Sequence, residues 1–502
     1  MKIDQLNREW ISEHQMMYNI TTSVHMEEKV LQIGEGNFLR GFIDWMIFKL
    51  NQEGKFQGKV VAVQPTKHGK VVPKLNQQDG LYTTVLRGID QGKKVENIEI
   101  VDSINRGINP YVQWEEVLKV AESPNIQFVF SNTTEAGLSY KSETYDPSQS
   151  PDSFPGKLTA LLYHRFKKLG EAPNSGWIII PCELVDANGL LLKKLVIKTA
   201  ENWNLPDHFI QWIQTENVFC NTLVDRIVTG YPRDQIEEYN EKLGYEDILL
   251  TTGEPYHLFV IDSHKDVKEL LPFHEVGLNV HWDEIKPYRD LKVKLLNGPH
   301  TLMAAVGFLC GIETVKEAME DELVGPFIQK SINEEIIPTF DDEKKAKDYA
   351  NSVIERFINP FNKHMLKDIA LNTVYKFKTR LLPTLKLYQE KFQYLPKHIC
   401  FSFAAIFVYC KPSKQEKNEF IGSRFSEDYV IKDKVEILQL FSEVWSHYDG
   451  SNQSIQKLTA KVLSDKSIWD EDLNEIIDLN HMIATYINDI LEFGMRDSLK
   501  KI

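Results

Sequence analysis

The pattern of residues 29–50 predicts a strand, a glycine turn and a helix in direct succession. The strand Lys29-Val-Leu-Gln-Ile33 has the apolar composition of a buried strand. Gly34-Glu-Gly-Asn-Phe-Leu-Arg40 follows, and the next residues carry apolar side chains at helical spacing up to Leu50. In this layout, backbone N–H groups at the start of the helix can hold a pyrophosphate. We therefore expect an α/β fold that begins with a dinucleotide-binding βα turn.

The glycine turn departs from the full dinucleotide fingerprint at one position. Leu39 stands where the third glycine would be, and because that glycine serves helix packing, its loss leaves a phosphate site possible. An ordinary βα turn without a ligand is the alternative. After the next strand, Gln64 occupies the position where NAD enzymes commonly carry an acid for the ribose 2′-hydroxyl. Gln64 can still bind that hydroxyl, so NAD is predicted as the preferred cofactor but not the exclusive one.

Polar residues also follow a later buried strand, Ile126–Phe130. In doubly wound sheets ligands bind beyond the carboxyl ends of the strands, which makes Asn132 and Thr133 candidates for cofactor contacts. The alternative is a polar loop that caps the next helix. Strands and helices alternate up to about residue 285, and helical periodicity dominates after that.

This change of pattern predicts two domains. We expect a Rossmann-like, doubly wound sheet over residues 1–285 and an all-α domain over residues 286–502. The cleft between the two is the expected active site.

Composition narrows the classes of function. The formal net charge is −14 and no long basic run occurs, so neither nucleic acid nor an anionic membrane is expected as a partner. The five cysteines form no Cys-x-x-Cys pair, which indicates a reducing compartment and argues against a zinc site. The longest apolar run, Ile399–Cys410, is too short to span a bilayer. We expect a cytoplasmic protein without a metal, either a monomer or a small homo-oligomer.

The apolar segment 290–304 contains Lys292, Asn297 and His300. At roughly 100° per residue these side chains fall at about 0°, 140° and 80° around a helix, so all three can point into one cavity. An amine can move a proton, an amide can hold an oxygen, and an imidazole can donate or accept a hydrogen bond. A helix start with an amphipathic lysine and a capping asparagine is the alternative. Pro299 predicts a kink or break at this point.

The spacing Lys-x4-Asn-x2-His resembles the active-site signature of the mannitol dehydrogenase family, which are zinc-independent, polyol-type long-chain dehydrogenases. The resemblance implies that Lys292 is the general base and that Asn297 binds the alcohol or carbonyl oxygen. It implies that His300 orients the substrate. The Thr-Glu-x-Gly turn after Ile126–Phe130 is also similar to one in the family, which implies that Glu135 lies on a proton path from the lysine to water.

The resemblance extends to the glycine turn, which is similar to the family's Gly-x-Gly-x-Phe-x-Arg start. It implies contacts with NAD for Gly34, Gly36, Asn37, Phe38 and Arg40.

Two later elements bear on the substrate. Leu223-Val-Asp-Arg-Ile resembles a Val-Asp-Arg-Ile element of the family, which implies that Asp225 lies near the substrate or the lysine. A structural ion pair between Asp225 and Arg226 is the alternative. Leu184 stands where mannitol dehydrogenases carry an asparagine that serves as a second oxyanion donor. This departure indicates a different substrate branch.

A basic group in the second half predicts a pocket for a carboxylate. Its candidate ligands are Arg356, Lys363, His364 and Arg380, and arginine can pair a carboxylate with two hydrogen bonds. A solvated helix face is the alternative. Together with the resemblance, this group predicts an NAD-dependent oxidoreductase that acts on a secondary alcohol of a sugar acid. Another polyol or hexonate dehydrogenase and a non-catalytic NAD-binding sensor remain as alternatives.

Overall fold

The computed structural model describes residues 3–18, 26–170, 172–416 and 419–502. The chain divides into two compact units, Met1–Tyr288 and Arg289–Ile502, called here the first and the second unit. The sequence predicts a division after residue 285, and the observed boundary lies within the helix Ile285–Leu291.

The first unit is built around parallel strands. Its described strands are β1 Glu27–Ile33, β2 Gly58–Val63, β3 Tyr82–Asp90, β4 Lys93–Val101, β5 Ile104–Ile108, β6 Phe128–Ser131, β7 Ile178–Pro181, β8 Val218–Phe219, β9 Asn221–Asp225, β10 Val228–Gly230, β11 Thr251–Gly253, β12 Leu258–Asp262 and β13 Val280–Trp282. Its described helices are α1 Arg8–Tyr18, α2 Asn37–Leu39, α3 Trp45–Gln52, α4 Val71–Gln77, α5 Trp114–Glu122, α6 Phe154–Leu169, α7 Asn188–Asn202, α8 Asp207–Glu216 and α9 Ile236–Leu243, and α10 Ile285–Leu291 crosses the boundary.

The order of the main sheet is β5-β2-β1-β6-β7-β8, and every neighbouring pair in it is parallel. Numbered in chain order within the sheet, the strands follow the sequence 3-2-1-4-5-6 of the dinucleotide-binding fold. The winding reverses between β1 and β6, which leaves a crevice at their carboxyl ends. The predicted Rossmann-like sheet is thus confirmed.

Alternating residues of the central strands pack on opposite faces of this sheet. Val30 and Val60 belong to the apolar cluster on one face, and Leu31 and Val61 belong to the cluster on the other. Because both faces are covered, the strands are continuous apolar runs. Two smaller sheets, β10-β11-β3-β4 and β13-β12-β9, complete the first unit.

The second unit is mainly helical, as predicted. Its described helices are α11 Gly298–Leu309, α12 Val315–Glu320, α13 Val324–Lys330, α14 Glu343–Phe357, α15 Leu366–Ile369, α16 Thr373–Arg380, α17 Leu382–Phe392, α18 Lys397–Tyr409, α19 Val435–Ser446, α20 Asn452–Leu463, α21 Lys466–Trp469, α22 Leu479–Phe493 and α23 Met495–Leu499. The apolar run Ile399–Cys410 lies in α18 and its C-cap residue, and the residues of α18 are nearly all buried. Across the described ranges, no helix is both long and apolar enough to cross a membrane.

The second unit also contains a small antiparallel sheet that the sequence analysis did not predict. It consists of β14 Lys414–Glu416, β15 Glu419–Arg424 and β16 Glu427–Ile431. Phe420 pairs with Ile431 in register, and both are buried, whereas most other side chains of these strands are exposed or partly exposed. So little of each strand is apolar that the alternation expected of a half-buried strand is weak here.

Polar side chains are buried beneath the glycine turn. Asp44 ends a π-helical turn, Arg40–Asp44, and is fully buried. Its Oδ2 accepts a hydrogen bond of 3.1 Å from Gln32 Nε2. Among the described residues, neither Asp44 Oδ1 nor Gln32 Oε1 has a hydrogen-bond partner. Burial raises the pKa of Asp44 to about 7, although the hydrogen bond from Gln32 and the charge of Arg40 act in the opposite direction.

We expect the Asp44→Asn variant to unfold at a higher temperature than the parent at pH 8, because an amide stays uncharged when buried. The folded parent keeps the Asp44 proton up to a pKa of about 7, whereas the unfolded chain loses it near about 3.9. The free energy of unfolding of the parent therefore falls as the pH rises from about 4 to about 7, and the loss is constant above that.

Calorimetry of both proteins at several pH values between those limits checks this expectation. The exposed Glu53 provides the control, and the Tm difference of Glu53→Gln from the parent should show no such rise. A Tm difference for Asp44→Asn that stays constant with pH would contradict the assigned state of Asp44.

Candidate active site

The glycine turn after β1 leaves open space above its backbone. Gly34 has a φ of 127°, and a Cβ built there would lie 2.9 Å from Leu39 Cδ1. Leu39 thus packs against Gly34 and fills the space where the fingerprint has its third glycine. A Cβ on Gly36, the N-cap residue of α2, would meet no atom within 4 Å. A ligand can therefore approach the backbone of Gly36, as the predicted phosphate contact requires.

Arg40 is buried below this turn. Its Nη1 donates to the Glu35 carbonyl at 2.5 Å, and its Nη2 donates to Asn37 Oδ1 at 2.7 Å and to Thr251 Oγ1 at 3.2 Å. The guanidinium thus fixes the shape of the turn from inside. Phe38 stacks on Phe42 with ring centroids 4.9 Å apart. The cofactor contacts of Arg40, Asn37 and Phe38 stay predictions.

The loop after β6 is held by the end of β7. Asn132 Nδ2 donates to the Cys182 carbonyl at 2.7 Å, and the Thr133 N–H donates to Glu183 Oε1 at 2.9 Å. Glu183 is buried, and it also accepts from Ser131 Oγ at 3.1 Å. The sequence analysis missed Glu183, and its position directly after a buried strand was the available signal. Glu183 thus positions Thr133, and the Cys182 carbonyl positions Asn132.

A cavity of about 350 Å³ lies at the carboxyl ends of β2 and β6. It is lined by the loop after β2, the loop after β6 and the start of α6, namely Pro65, Thr66, Asn132, Thr133, Thr134, Ala136, Gly137, Ser139, Lys141, Asp152, Ser153 and Phe154. This cavity is called the cofactor cleft below. Asn132 and Thr133, predicted from sequence, are both part of its lining.

Gln64 does not line the cofactor cleft. It is fully buried, and its Nε2 donates to the Thr66 carbonyl at 2.6 Å. A Cβ on Gly69 would lie 2.5 Å from the Gln64 side chain, so the loop is packed tightly on it. Gln64 therefore shapes the loop after β2 from below, and its contact with a ribose stays a prediction.

Other predicted residues of the first unit have different surroundings. Asp225, the last residue of β9, is buried opposite Leu258 of β12. Arg226 donates from Nη1 to the Gly41 carbonyl at 2.8 Å and lies over the Trp45 ring, so its role is structural. The backbone of Glu135 begins a 3₁₀ turn, but its side chain lies outside the described part of the structure.

Leu184 is 64% exposed. A leucine at this position offers no hydrogen-bond donor to a substrate oxygen.

In the second unit, Lys292 to Asn297 form a π-helical turn between α10 and α11. The Gly298 N–H donates to the Val293 carbonyl, five residues back. Such a turn closes over five residues instead of four, so Asn297 lies nearer to Lys292 around the helix than the roughly 140° that an α-helix would give. The wide turn thus brings the amine and the amide onto one face, and both side chains are partly exposed.

Pro299 does not break the helix as strongly as predicted. The backbone keeps helical dihedral angles through Asn297 and Gly298, and the distortion is the π-helical turn that begins at Lys292. Because Pro299 has no N–H, the preceding turn loses one donor, and the wider turn accommodates that loss.

Cationic side chains surround His300. Its ring centroid lies 4.9 Å from that of His364 and 4.5 Å from that of Phe357. Arg380 Nη1 donates to Thr301 Oγ1 at 3.2 Å, which ties α16 to the helix that carries His300. The charges of Arg356, Arg380 and Lys376 also act on His300. This group, called the cationic cluster, consists of His300, Arg356, His364, Lys376 and Arg380.

The cationic cluster changes the titration of its histidines. Burial lowers the pKa of His300 well below its ordinary value, and the charges of His364, Arg356, Arg380 and Lys376 lower it further. Burial likewise lowers the pKa of His364. Both imidazoles are therefore neutral at neutral pH, and His300 can donate or accept a hydrogen bond.

The structure separates the predicted basic residues into two sets. Arg356, His364 and Arg380 belong to the cationic cluster, and so does Lys376, which lies in the same basic group of the sequence. Lys363 is exposed instead. Within the described ranges, no group of three or more His, Cys, Asp or Glu side chains is arranged to hold a metal ion.

The sheet order, the glycine turn and the cofactor cleft define the first unit as a dinucleotide-binding domain. Residues 28–274 match the mannitol dehydrogenase Rossmann domain, and residues 284–491 match the mannitol dehydrogenase C-terminal domain. The chain belongs to the mannitol dehydrogenase family.

Two relatives illustrate the similarity. The chain is 48% identical over 481 residues to a protein from Halalkalibacterium halodurans named altronate oxidoreductase, and the match covers 96% of this chain and 94% of that protein. It is 42% identical over 478 residues to an Escherichia coli protein of the same name, covering 95% of this chain and 97% of the relative.

Two solved structures share the fold. One is the Pseudomonas fluorescens mannitol 2-dehydrogenase ternary complex with NAD and D-mannitol, with a TM-score of 0.67, 19% identity and 99% of both chains covered. The other is a substrate-free D-sorbitol dehydrogenase, with a TM-score of 0.75, 19% identity and coverage of 99% and 98%.

We expect Arg380→Gln to raise the pKa of His300 toward the value of about 6.5 of an unperturbed histidine, because one cation that opposes protonation is removed. Lys363→Gln is the matched control, since Lys363 is also basic but lies outside the cationic cluster. NMR of ¹³C-labelled histidines checks the titration, with His300→Gln identifying the signal. An unchanged titration in Arg380→Gln would contradict the described arrangement.

Proposed function

We propose that the protein is an NAD-dependent oxidoreductase that interconverts D-altronate and D-tagaturonate. The relatives described above, similar over nearly the whole chain, carry the name altronate oxidoreductase. The observation that carries the substrate class is the cationic cluster, because a sugar acid brings a carboxylate that needs charged partners when it is buried. A neutral polyol has no such need.

The residues of the first unit fit a dinucleotide. Gly34 and Gly36 would hold the pyrophosphate against the start of α2, and Asn132 and Thr133 would line the rest of its path through the cofactor cleft. When bound, NAD supplies the hydride acceptor. All five cysteines of the chain are buried thiols, which supports a reducing, cytoplasmic location.

Three residues of the second unit act on the reacting group of the substrate, and one of them, Lys292, moves the proton. In oxidation the neutral amine of Lys292 accepts the proton of the reacting hydroxyl, and in reduction its ammonium form returns a proton to the carbonyl oxygen. Asn297, brought to the same face by the π-helical turn, donates a hydrogen bond to that oxygen. His300 is neutral, so it orients a hydroxyl without adding a charge.

The cationic cluster would bind the far end of the substrate. Arg356 and Arg380 offer planar guanidinium groups that can pair a carboxylate with two hydrogen bonds each. Because His300 is part of the same cluster, the carboxylate and the reacting carbon are held by one rigid group of side chains. Such fixation favours the reactive geometry.

We expect Lys292→Ala to lower turnover by at least ~10²-fold, the range of a lost general base, while NADH binding persists. Lys294→Ala is the control, because Lys294 lies in the same π-helical turn but contacts the Phe340 ring. Steady-state tagaturonate reduction, followed by NADH absorbance, measures both variants. Turnover of Lys292→Ala within about threefold of the parent would refute the assigned role.

We also expect tagaturonate to be reduced far better than fructose, which lacks the carboxylate. Arg356→Ala and Arg380→Ala should lose about 2–5 kcal/mol of transition-state stabilisation with tagaturonate and much less with fructose. Lys363→Ala is the control and should lose little with either substrate.

The values of kcat/KM for both substrates in all four proteins decide the matter. Equal efficiency with tagaturonate and fructose in the parent would overturn the sugar-acid proposal. NADH binding without turnover of any sugar or sugar acid would favour the sensor alternative.

A further inference from the structure

An acidic side chain lines the cofactor cleft opposite the loop after β2. Asp152, in the loop before α6, borders the cleft together with Thr66. Its Oδ1 binds Lys67 Nζ at 2.9 Å, and its Oδ2 binds Lys141 Nζ at 3.3 Å. Lys67 follows Thr66 directly, so the carboxylate lies within reach of the residues that end β2. The hydrogen bond from Lys67 lowers the pKa of Asp152, which is therefore ionised at neutral pH.

The backbone of Asp152 is tied to the end of β2. The Tyr111 hydroxyl donates to the Pro65 carbonyl at 3.2 Å and accepts from Lys157 Nζ at 2.8 Å. Lys157 Nζ also donates to the Asp152 carbonyl at 2.8 Å, and the Asp152 N–H donates to Glu143 Oε2 at 2.8 Å. This chain of bonds fixes the distance between Asp152 and the β2 loop without using the carboxylate. The carboxylate is thus held at a defined place in the cleft.

The end of β2 is where a dinucleotide-binding domain meets the adenosine ribose. Gln64, the residue expected there, is buried and bonded to the Thr66 carbonyl. Asp152 presents an acidic group to the same region from a distant part of the chain. Asp152 thus supplies the carboxylate that the position after β2 lacks. A carboxylate accepts a hydrogen bond from a hydroxyl and repels a phosphate.

We propose that Asp152 is a specificity-determining residue that makes the protein prefer NAD over NADP. Its carboxylate accepts a hydrogen bond from the ribose 2′-hydroxyl of NAD, and it keeps Lys67 and Lys141 in ion pairs. This inference rests on the proposed function in so far as the ligand is a nicotinamide dinucleotide. The two lysines are latent partners for a phosphate, because each ammonium can donate to it once Asp152 is neutral. Neutralising Asp152 therefore weakens the preference for NAD in two ways: the acceptor for the 2′-hydroxyl is weakened, and two lysines become available to a 2′-phosphate.

The test is fluorescence titration of NADH and NADPH, which needs no substrate. In Asp152→Asn, the ratio of the NADPH Kd to the NADH Kd should fall at least about tenfold, the size of one charge-assisted hydrogen bond gained. The double variant Asp152→Asn with Lys67→Gln should lose most of that gain. Lys67→Gln alone should raise the ratio above that of the parent, because a cation is removed and the carboxylate remains.

Glu115→Gln is the control for the loss of one negative charge, since Glu115 lies on the exposed face of α5. Its Kd ratio should match the parent. A ratio in Asp152→Asn equal to that in Glu115→Gln would overturn the proposal, as would equal weakening of both cofactors. If the protein binds NADH but turns over no sugar acid, the proposed function is refuted, while the inference about Asp152 is unaffected.

Discussion

The buried guanidinium of Arg40 holds the glycine turn in shape through the hydrogen bonds of its two Nη atoms, although its Nε has no hydrogen-bond partner among the described residues. Its hydrogen bonds join the Glu35 carbonyl, on the turn, to Thr251 of β11, which belongs to another sheet. The Tyr82 hydroxyl of β3 donates to the Arg40 carbonyl at 2.8 Å. A buried charge is tolerated only when hydrogen-bond partners offset its loss of water, as the oxygens bonded to the two Nη atoms do here. The turn that would receive a phosphate is therefore set by the interior of the first unit.

The parts of the fold governed by local pattern could be predicted from the sequence. The strand, glycine turn and helix at residues 29–50 follow from hydrophobic period and glycine position, and the change to helical period near Asp290 separates the two units. The small sheet 414–431 was missed because its few apolar residues give little alternation. The π-helical turn at Lys292 was missed because a helical projection assumes one period throughout.

The candidate site could be predicted only where a motif marks it. Asn132 and Thr133 were predicted because they follow a buried strand, and both line the cofactor cleft. Lys292 was predicted because its spacing resembles a family signature. Asp152 was not predicted, because its partners lie far away along the chain. Glu183 was missed although it follows a buried strand, as Asn132 and Thr133 do. Lys67 and Asp152 are far apart in the sequence and pair only in the folded chain, so no period in the sequence records that pairing. The membership of Lys376 and the exposure of Lys363 likewise depend on how the helices of the second unit pack.

The loop after β6 illustrates how such distant partners affect recognition. Asn132 and Thr133 are fixed by the Cys182 carbonyl and the Glu183 carboxylate, so the order of this loop is a property of the protein alone. Ordering a loop when a ligand binds costs conformational entropy. This loop is already ordered in the folded protein, so binding does not carry that cost. A ligand at this edge of the sheet would therefore meet a loop that is already ordered. Binding there would discriminate by ligand shape and charge, because a preformed loop adjusts little to a poor fit.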